Sequence, residues 1–315
     1  MAITQAIIGG SDNYIHLWAE STWGTKPGSP ALIYMPVTNY GVAMTKNSRE
    51  TKPHYGQFGK AGVFHVTGQP AGQITGELCG VEPSSSATSL AKTILDWVFG
   101  GEADTFLPSK GIEFAQGPDI ANQQHDGLRV NTFTLAGAEG GAVTWTLDVM
   151  GTTDTAVTTA NTISADLKGF PGFEFSDCVL TIGGTAIDIA DFSLQRQHGL
   201  KVKYLGGTTP KVIAKSMRNT TFQFKIVKQA AAYDVIRRTI GTETDSALVL
   251  TMNGKHGGTG ASGTYTTIAF TMPKSRLLMP GDAHSFEDIT MTDLPYACLI
   301  PDGGGAEITI AYSLT

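Results

Sequence analysis

Charged side chains are scarce in this sequence, and long apolar runs are missing altogether. Of the 315 residues only 16% are charged, and no run of 18 apolar residues occurs. A membrane-spanning helix needs about 20 such residues, so we expect no membrane span. The first ten residues also lack the basic and then apolar order of a secretory signal. Membrane proteins and ordinary secreted proteins are therefore disfavoured.

Cysteine is also rare, and the residue patterns of common catalytic and metal sites are missing. Three cysteines, Cys79, Cys178 and Cys298, lie about a hundred residues apart without a C-x-x-C pair, so we expect reduced, buried thiols. The seven histidines show no metal-ligand spacing, and neither H-E-x-x-H nor G-x-S-x-G is found. The sequence predicts no catalytic residues, no metal and no cofactor, and therefore no enzyme.

Threonine and glycine are abundant, and apolar residues alternate with polar ones. The chain has 40 Thr and 38 Gly, a composition that favours strands and turns. In the segment from Val143 to Val149, every second residue is apolar, which is the pattern of a half-buried strand. Glycine pairs at 140–141 and 183–184 predict hairpin turns. The same alternation recurs at 73–78, 221–226, 268–272 and 308–312. We predict a mainly β fold.

Two segments have the spacing and end signals of helices, and both occupy the same place in a repeated order. Ser86 to Phe99 and Ala230 to Ile240 each follow an alternating strand and precede a further strand and a hairpin. This order predicts two tandem β-sandwich or barrel domains, each with one short α-helix. We place the first at 1–155, with its first 55 or so residues as an arm and long loop. The Thr-rich 151–165 would be a linker, and the second domain would cover 165–315.

Charge is distributed unevenly between the two halves. Residues 1–160 hold 8 basic and 14 acidic side chains, whereas residues 161–315 hold 14 of each. Positions 192–233 contain eight Lys or Arg and no Asp or Glu. This stretch has three interpretations: a nucleic-acid site, a solvated face, or a contact with the acidic first half of another copy. The first is disfavoured because the protein as a whole is acidic and the stretch has few aromatics.

Seven segments of the chain share their order and spacing with one known family. They are Gln69–Leu78, Trp97–Gly100, Gly127–Leu135, Gly141–Gly151, Phe175–Ile182, Ile189–Leu194 and Thr221–Ile226. Together they resemble the major tail tube proteins of long-tailed bacteriophages, in the branch of about this length. The resemblance begins near residue 60, and order and spacing match better than any single motif. Where the family commonly has asparagines, this chain has Gln195-Arg-Gln-His198.

The resemblance implies a non-enzymatic structural protein of the virion tail, made in the host cytoplasm. Such subunits close into rings, their strands join in a ring-shaped inner β-barrel, and the rings stack into a hollow tube. The genome passes through this tube into the host cell, and the DNA is not bound specifically. The resemblance also implies contacts with a tape measure protein and with tail terminator or distal tail proteins.

A tube wall for DNA needs polar residues, uncharged or acidic, at every second strand position, because cationic wells would retain a polyanion. The lumen-lining candidates on this criterion are Gln73, Thr75, Glu77, Thr144, Thr146, Asp148, Thr290 and Thr292. Basic segments before the strands are expected to contact an adjacent chain or ring. The candidates for these contacts are Lys46, Arg49, Lys52, Lys60, Arg196, Lys201, Lys203, Lys211 and Lys215.

Strand arithmetic links the repeat to the size of the ring. Six domains of about four strands, spaced about 4.8 Å and tilted about 40°, give a backbone diameter close to 48 Å, wide enough for duplex DNA. Two domains per chain predict a trimer with pseudo-sixfold symmetry, whereas one composite domain predicts a hexamer. The alternative from another class is a soluble β-sandwich module for carbohydrate binding or adhesion on a virion surface.

Overall fold

The structure is a computed structural model that describes residues 14–35, 37–51, 62–79, 90–100, 107–115, 122–157, 172–227, 245–254, 266–278 and 291–314. These residues form one α-helix, a short 3-10 helix at Phe175–Asp177, and nineteen strands. The predicted mainly β fold is confirmed. In chain order the elements are β1 (Tyr14–Ala19), β2 (Ile33–Met35), β3 (Asn39–Tyr40), β4 (Ala43–Thr51), β5 (Gly62–Glu77), α1 (Leu90–Phe99), β6 (Lys110–Ala115), β7 (Asn122–Ala138), β8 (Thr144–Met150), β9 (Thr153–Val157), β10 (Cys178–Ile182), β11 (Thr185–Ile187), β12 (Asp191–Gln197), β13 (Lys201–Lys203), β14 (Val212–Ala214), β15 (Asn219–Val227), β16 (Ser246–Asn253), β17 (Thr266–Leu277), β18 (Met291–Cys298) and β19 (Thr309–Leu314).

Alternation and glycine turns form the strands where the sequence predicts them. In β8 the side chains of Trp145, Leu147 and Val149 are buried, and the residues between them face outward. Gly140 has a φ of 73° in the turn from β7 to β8. Gly183 and Gly184 have φ values of 57° and 85° between β10 and β11, the left-handed conformation that two-residue hairpin turns require. Both predicted hairpins are present.

Eight strands follow one another in a single antiparallel run that crosses from the first half of the chain to the second. Their order is β4, β5, β8, β7, β12, β15, β18 and β17. β3 continues β4 along the same edge of β5. The pairing of β7 with β12, from Thr132↔Gln197 to Ala138↔Asp191, joins the two halves. We call this pairing the joint.

The same strand pairings occur in both halves. β1 pairs with β2 and β6, and β7 pairs with β6 and β9; in the second half β10 pairs with β11 and β16, and β17 pairs with β16 and β19. In the eight-stranded run, the first half contributes β4, β5, β8 and β7 in that order. The second half contributes the corresponding strands β12, β15, β18 and β17 in the same order. The register also matches, since Met150 pairs with Arg129 and Ala297 pairs with Arg276.

Three sequence predictions need correction or fall at least partly outside the described residues. The predicted linker at 151–165 begins with β9, because Thr153 to Val157 pair with β7 and complete the first half. The predicted first helix is found as α1, and its proposed start at Ser86 lies outside the described residues. The second predicted helix, 230–240, lies outside them entirely.

The helix α1 packs at the junction of the two halves. The ring of Phe99 lies edge-on to Phe133 of β7 at 5.7 Å and to Phe270 of β17 at 6.4 Å. The guanidinium of Arg196 lies 4.8 Å from the same Phe99 ring. One hydrophobic cluster contains buried residues from α1 and from both halves, so the core is continuous across the joint.

The three cysteines are free, as the sequence predicts, but they are not equally buried. Cys79 and Cys298 are buried, whereas Cys178 is half-buried. Burial raises the pKa of the Cys79 thiol to about 11 and those of Cys178 and Cys298 to about 12. All three thiols therefore stay protonated and poorly reactive at neutral pH.

Candidate functional site

The eight-stranded run has a core face and a polar face, and the polar face is continuous across both halves. Outward side chains pair in rows that run across the strands. One row contains Pro295, Gln223, Ser193, Ala136, Thr144 and Glu77; the next contains Ala297, Thr221, Gln195, Thr134, Thr146 and Thr75; a third contains Gln197, Thr132, Asp148 and Gln73. Most residues of these three rows are Thr, Ser or Gln, and the charged ones among them are Glu77 and Asp148.

Hydrogen bonds connect neighbouring side chains within the rows. The amide of Gln73 donates to Asp148 Oδ1 at 3.4 Å, and the hydroxyls of Thr75 and Thr146 lie 3.4 Å apart. Each of these pairs bridges β5 and β8 at directly opposed positions. Such cross-strand side-chain pairs stabilise the pairing of the two strands.

Three charged side chains of this face lie together in one row. We define the charged row as Asp191, Lys225 and Asp293, which are opposed on β12, β15 and β18. Lys225 Nζ lies 3.0 Å from Asp191 Oδ2 and 3.7 Å from Asp293 Oδ1. Hydrogen bonding and attraction by Asp191 and, secondarily, the charge of Asp293 raise the pKa of Lys225. An open groove is lined by this row together with Ala136, Thr144, Ser193 and Gln223.

Most of the predicted lumen-lining residues lie on this one face. Gln73, Thr75, Glu77, Thr144, Thr146 and Asp148 all point outward from β5 and β8. Thr292 does not, because its side chain is 1% exposed and shares the core face of β18 with Leu294 and Tyr296. Its neighbour Asp293 is the outward residue. Thr290 lies outside the described residues.

The sequence prediction missed the part of the face that the second half contributes. Asp191, Ser193 and Gln195 alternate with buried Phe192 and Leu194, and Gln223 and Lys225 alternate with buried phenylalanines in the same way. This alternation is visible in the sequence. It does not reveal that β12 pairs with β7, which is what places these residues beside those of the first half.

The edge of β12 that forms the joint corresponds to the outer edge of β3 and β4, but the two edges have different neighbouring strands. At the joint, β12 pairs with β15 on one edge and with β7 on the other. Among the described residues, β5 is the one strand that pairs with β3 and β4. We call the other edge of residues 39–46 the open edge. An unpaired strand edge is a template for another chain.

The predicted basic contact residues have different environments. Lys46 and Arg49 of β4, Lys201 and Lys203 of β13, and Lys211 are exposed, and Lys215 is half-buried. Arg196 was predicted to contact an adjacent chain or ring, but it is 1% exposed. It lies on the core face of β12, where its Nη1 donates to Thr220 Oγ1 at 3.5 Å. Lys52 and Lys60 lie outside the described residues.

The hairpin of β13 and β14 reaches across the chain to the first half. The N–H of Gly68 donates to the carbonyl of Thr208 at 2.9 Å, and the hydroxyl of Tyr204 donates to Gln69 Oε1 at 3.3 Å. Arg129 also donates to the carbonyl of Ile213. This basic hairpin of the second half therefore packs against the neighbouring half of the same chain.

The described residues contain no group of three or more His, Cys, Asp or Glu side chains placed to hold a metal ion. The same part of the chain has no helix with the length and apolarity needed to cross a bilayer.

Several buried polar groups of the first half contact one another. Tyr40 Oη lies 2.6 Å from His125 Nδ1, and Asn122 donates to Glu113 Oε1 at 2.8 Å. Burial is the main cause that lowers the pKa of His125 and raises that of Tyr40. These contacts join β3, β6 and β7 within the first half.

Comparison with known proteins agrees with this arrangement. A family model described as phage tail tube protein matches residues 10–311. No curated protein matches the sequence. The match covers nearly the whole chain, including both halves of the polar face and the joint. The chain belongs to the phage tail tube protein family, whose members are structural components of the virion tail.

Proposed function

We propose that the chain is the major tail tube subunit, that its copies close into rings stacked as a hollow tube, and that the genome passes through this tube into the host cell. The observation that carries this proposal is the continuous polar face of the eight-stranded run, together with membership of the family. The face has few charges and is predominantly acidic where charged, so a polyanion finds little to bind.

Ring closure is proposed to copy the joint. Each half of the chain corresponds to one tube domain, 1–155 and 165–315, although β9 extends the first of these to Val157. Within the chain, β12 of the second domain pairs with β7 of the first. The open edge corresponds to the joint edge of β12, so it would accept β17 of a second copy, the strand that corresponds to β7.

The register of the joint specifies this contact. The N–H of His198 donates to the carbonyl of Asn131 at 2.8 Å, and Lys46 is the position that corresponds to His198. Asn131 lies at an irregularity in the pairing of β7 with β8, and the corresponding end of β17 is followed by Leu278. Leu278 is 45% exposed in the chain. Gly41 donates its N–H to Gln73 of β5, and N–H directions alternate along a strand. The N–H of Lys46 therefore points to the open edge.

Three chains would complete such a ring. Each chain supplies eight strands to the run, so three chains supply about 24, and the backbone diameter is again close to 48 Å. The polar face would line the opening. The lumen residues would then include Gln73, Thr75, Glu77, Thr144, Thr146 and Asp148 from the first domain, with Ser193, Gln195, Gln223 and Asp293 from the second.

Negative-stain microscopy of the purified protein tests the ring and the tube. We expect tubes with a central channel and three-fold symmetry. Lys46→Pro removes the N–H on the open edge, and its ring obstructs an incoming strand; we expect it to stay folded by circular dichroism and to form no tubes. Lys46→Ala keeps the N–H and should assemble. A monomeric wild type, or tubes from Lys46→Pro, would contradict the proposed closure.

Charge reversal tests the assignment of the lumen. Asp148→Lys combined with Glu77→Lys should leave assembly intact, because both residues are outward, and should slow genome delivery by attracting phosphates. Unchanged infectivity of particles with this variant would show that these two residues do not line the lumen.

The alternative of a carbohydrate-binding or adhesion module receives no support from the described surface. Such a module would present aromatic side chains on an exposed face. In the part of the chain where the structure describes side chains, no Trp, Tyr or Phe is exposed.

A further inference from the structure

Lys225 on β15 is a partly exposed cation of the polar face. A second cation, Arg276 of β17, is opposed to Ala297 and is paired with Asp245, whose Oδ1 lies 2.9 Å from its Nε. Four carboxylates share this face: Glu77, Asp148, Asp191 and Asp293. Two of the four are directly opposed to Lys225, one on each neighbouring strand. The lysine is 34% exposed, and Asp191 and Asp293 are 36% and 47% exposed. The three charges are therefore accessible to a molecule that moves along the face.

The first half makes the same sheet without these charges. The positions that correspond to Asp191, Lys225 and Asp293 are Asn39, Thr75 and Thr146. There, two threonine hydroxyls 3.4 Å apart replace the ion pair. Because the strands pair equally well in both halves, the sheet does not require the charged row. Surface ion pairs also contribute little to stability.

A lone lysine on this face would have a marked effect on a passing polyanion. An ammonium group that contacts a phosphate releases a counterion and adds affinity. In the proposed ring of three chains, three such groups would lie at one height in the channel. Together they would form a site that retains duplex DNA.

We infer that Asp191 and Asp293 act as shields that occupy Lys225 from both sides, so that the polar face offers no phosphate-binding site to the DNA. This inference rests on the proposed function, since it assigns the charged row to the lumen. The two aspartates are positioning residues, because they act through the lysine and do not themselves bind DNA.

The test compares wild-type tubes with Asp191→Asn/Asp293→Asn. The probe is a labelled DNA duplex of about 20 base pairs, with bound duplex measured by anisotropy at about 50 and about 200 mM salt. We expect the double variant to bind the duplex at least about ten-fold more tightly than wild type at the lower salt, and to lose the gain at the higher salt.

Two control variants separate the shield from a general change of charge. Glu77→Gln/Asp148→Asn removes the same number of carboxylates from the same face but leaves Lys225 paired, and we expect little gain in binding. Adding Lys225→Gln to the double variant should return binding to the wild-type level. An equal gain in the first control, or a gain that survives loss of the lysine, would overturn the inference.

Microscopy of the same samples distinguishes the two proposals. If wild type forms no tubes, the proposed function fails. If tubes form and the double variant binds no more duplex than wild type, the shield fails and the tube stands. Asp293→Asn alone changes the most exposed member of the charged row, and we expect a smaller gain in duplex binding than in the double variant. If neither the well-folded single variant nor the double variant binds more duplex than wild type, the inferred shield is overturned.

Discussion

The two halves of the chain share their strand pairings but differ at the edge where each could meet a neighbour. In the second half, β12 is covered by β7, and buried side chains fill the joint on its core face. In the first half, the corresponding edge of β3 and β4 has β5 alone as its described partner. One polypeptide thus contains both a completed contact and an open copy of it. The proposed ring closure would use the open edge in the way that the chain itself uses the joint.

The largest expected effect comes from removing a core side chain at the joint. Leu194 is fully buried and opposed to Leu135 and Phe222. Leu194→Ala should lower the free energy of unfolding by about 2–5 kcal/mol, measured by urea denaturation. Val42 has the corresponding position at the open edge and is also buried. Val42→Ala should cost about 1–2 kcal/mol; an equal or greater cost there would contradict the distinction between the two edges.

The second effect is a pH dependence that belongs to the joint. Burial and then the charges of Arg196 and other basic residues lower the pKa of His198 to about 4, against about 6.5 when unfolded. The unfolded chain therefore takes up the proton first. The contribution of this residue is complete above pH 6.5 and falls by about 3 kcal/mol as the pH drops towards 4.

Urea midpoints measured as a function of pH check this expectation. His198→Gln should flatten the acid side of the stability profile, while His16 and His125 remain in both proteins as a common background. Lys46→His places the same side chain at the corresponding exposed position and should add no slope. A profile that is unchanged in His198→Gln would show that the histidine is not held neutral.

The third effect concerns how closely the open edge approaches β5. A Cβ at Gly72 would lie 2.1 Å from the carbonyl oxygen of Gly41 and 2.7 Å from Val42 Cα. The corresponding residue of the second half is Phe222, so the two edges are not packed alike. Gly72→Ala should cost about 1–3 kcal/mol or more by displacing β3 and β4. Gly68→Ala, whose nearest contacts are at 3.3 Å, is the matched control; equal costs in thermal denaturation would argue against the close approach.

The smallest effect on stability comes from the exposed basic hairpin. Lys201→Glu, Lys203→Glu and Lys211→Glu together should change the unfolding free energy by about 0.5 kcal/mol or less per site, because these side chains are exposed. Tube formation, in contrast, should become weaker at moderate salt if the hairpin contacts an acidic neighbour. The same lysines changed to Gln provide the neutral control. Normal tubes from the Glu variant would show that the hairpin charge is unimportant.

Local alternation allowed much of the polar face to be predicted from the sequence. Gln73, Thr75 and Glu77 alternate with buried residues of β5, and the structure places them on the outward face. The prediction that Thr292 lines the lumen was wrong, because a threonine is compatible with either face of a strand. Thr292 shares the core face with its apolar neighbours Leu294 and Tyr296. The prediction that Arg196 contacts an adjacent chain or ring was wrong for a related reason. Its charge is compatible with a surface contact, but Thr220 and the Phe99 ring provide a buried environment for its guanidinium.

The sequence by itself determined the strands, their inward and outward residues, the glycine turns and the repeated order of elements, since these depend on contacts between near neighbours along the chain. Only the tertiary structure decided which strands lie side by side. The pairing of β7 with β12 joins residues more than fifty positions apart, and backbone hydrogen bonds carry no sequence signature that would name their partner. The continuity of the polar face follows from that pairing, and the position of Lys225 between two aspartates follows from the pairing of β15 with β12 and β18.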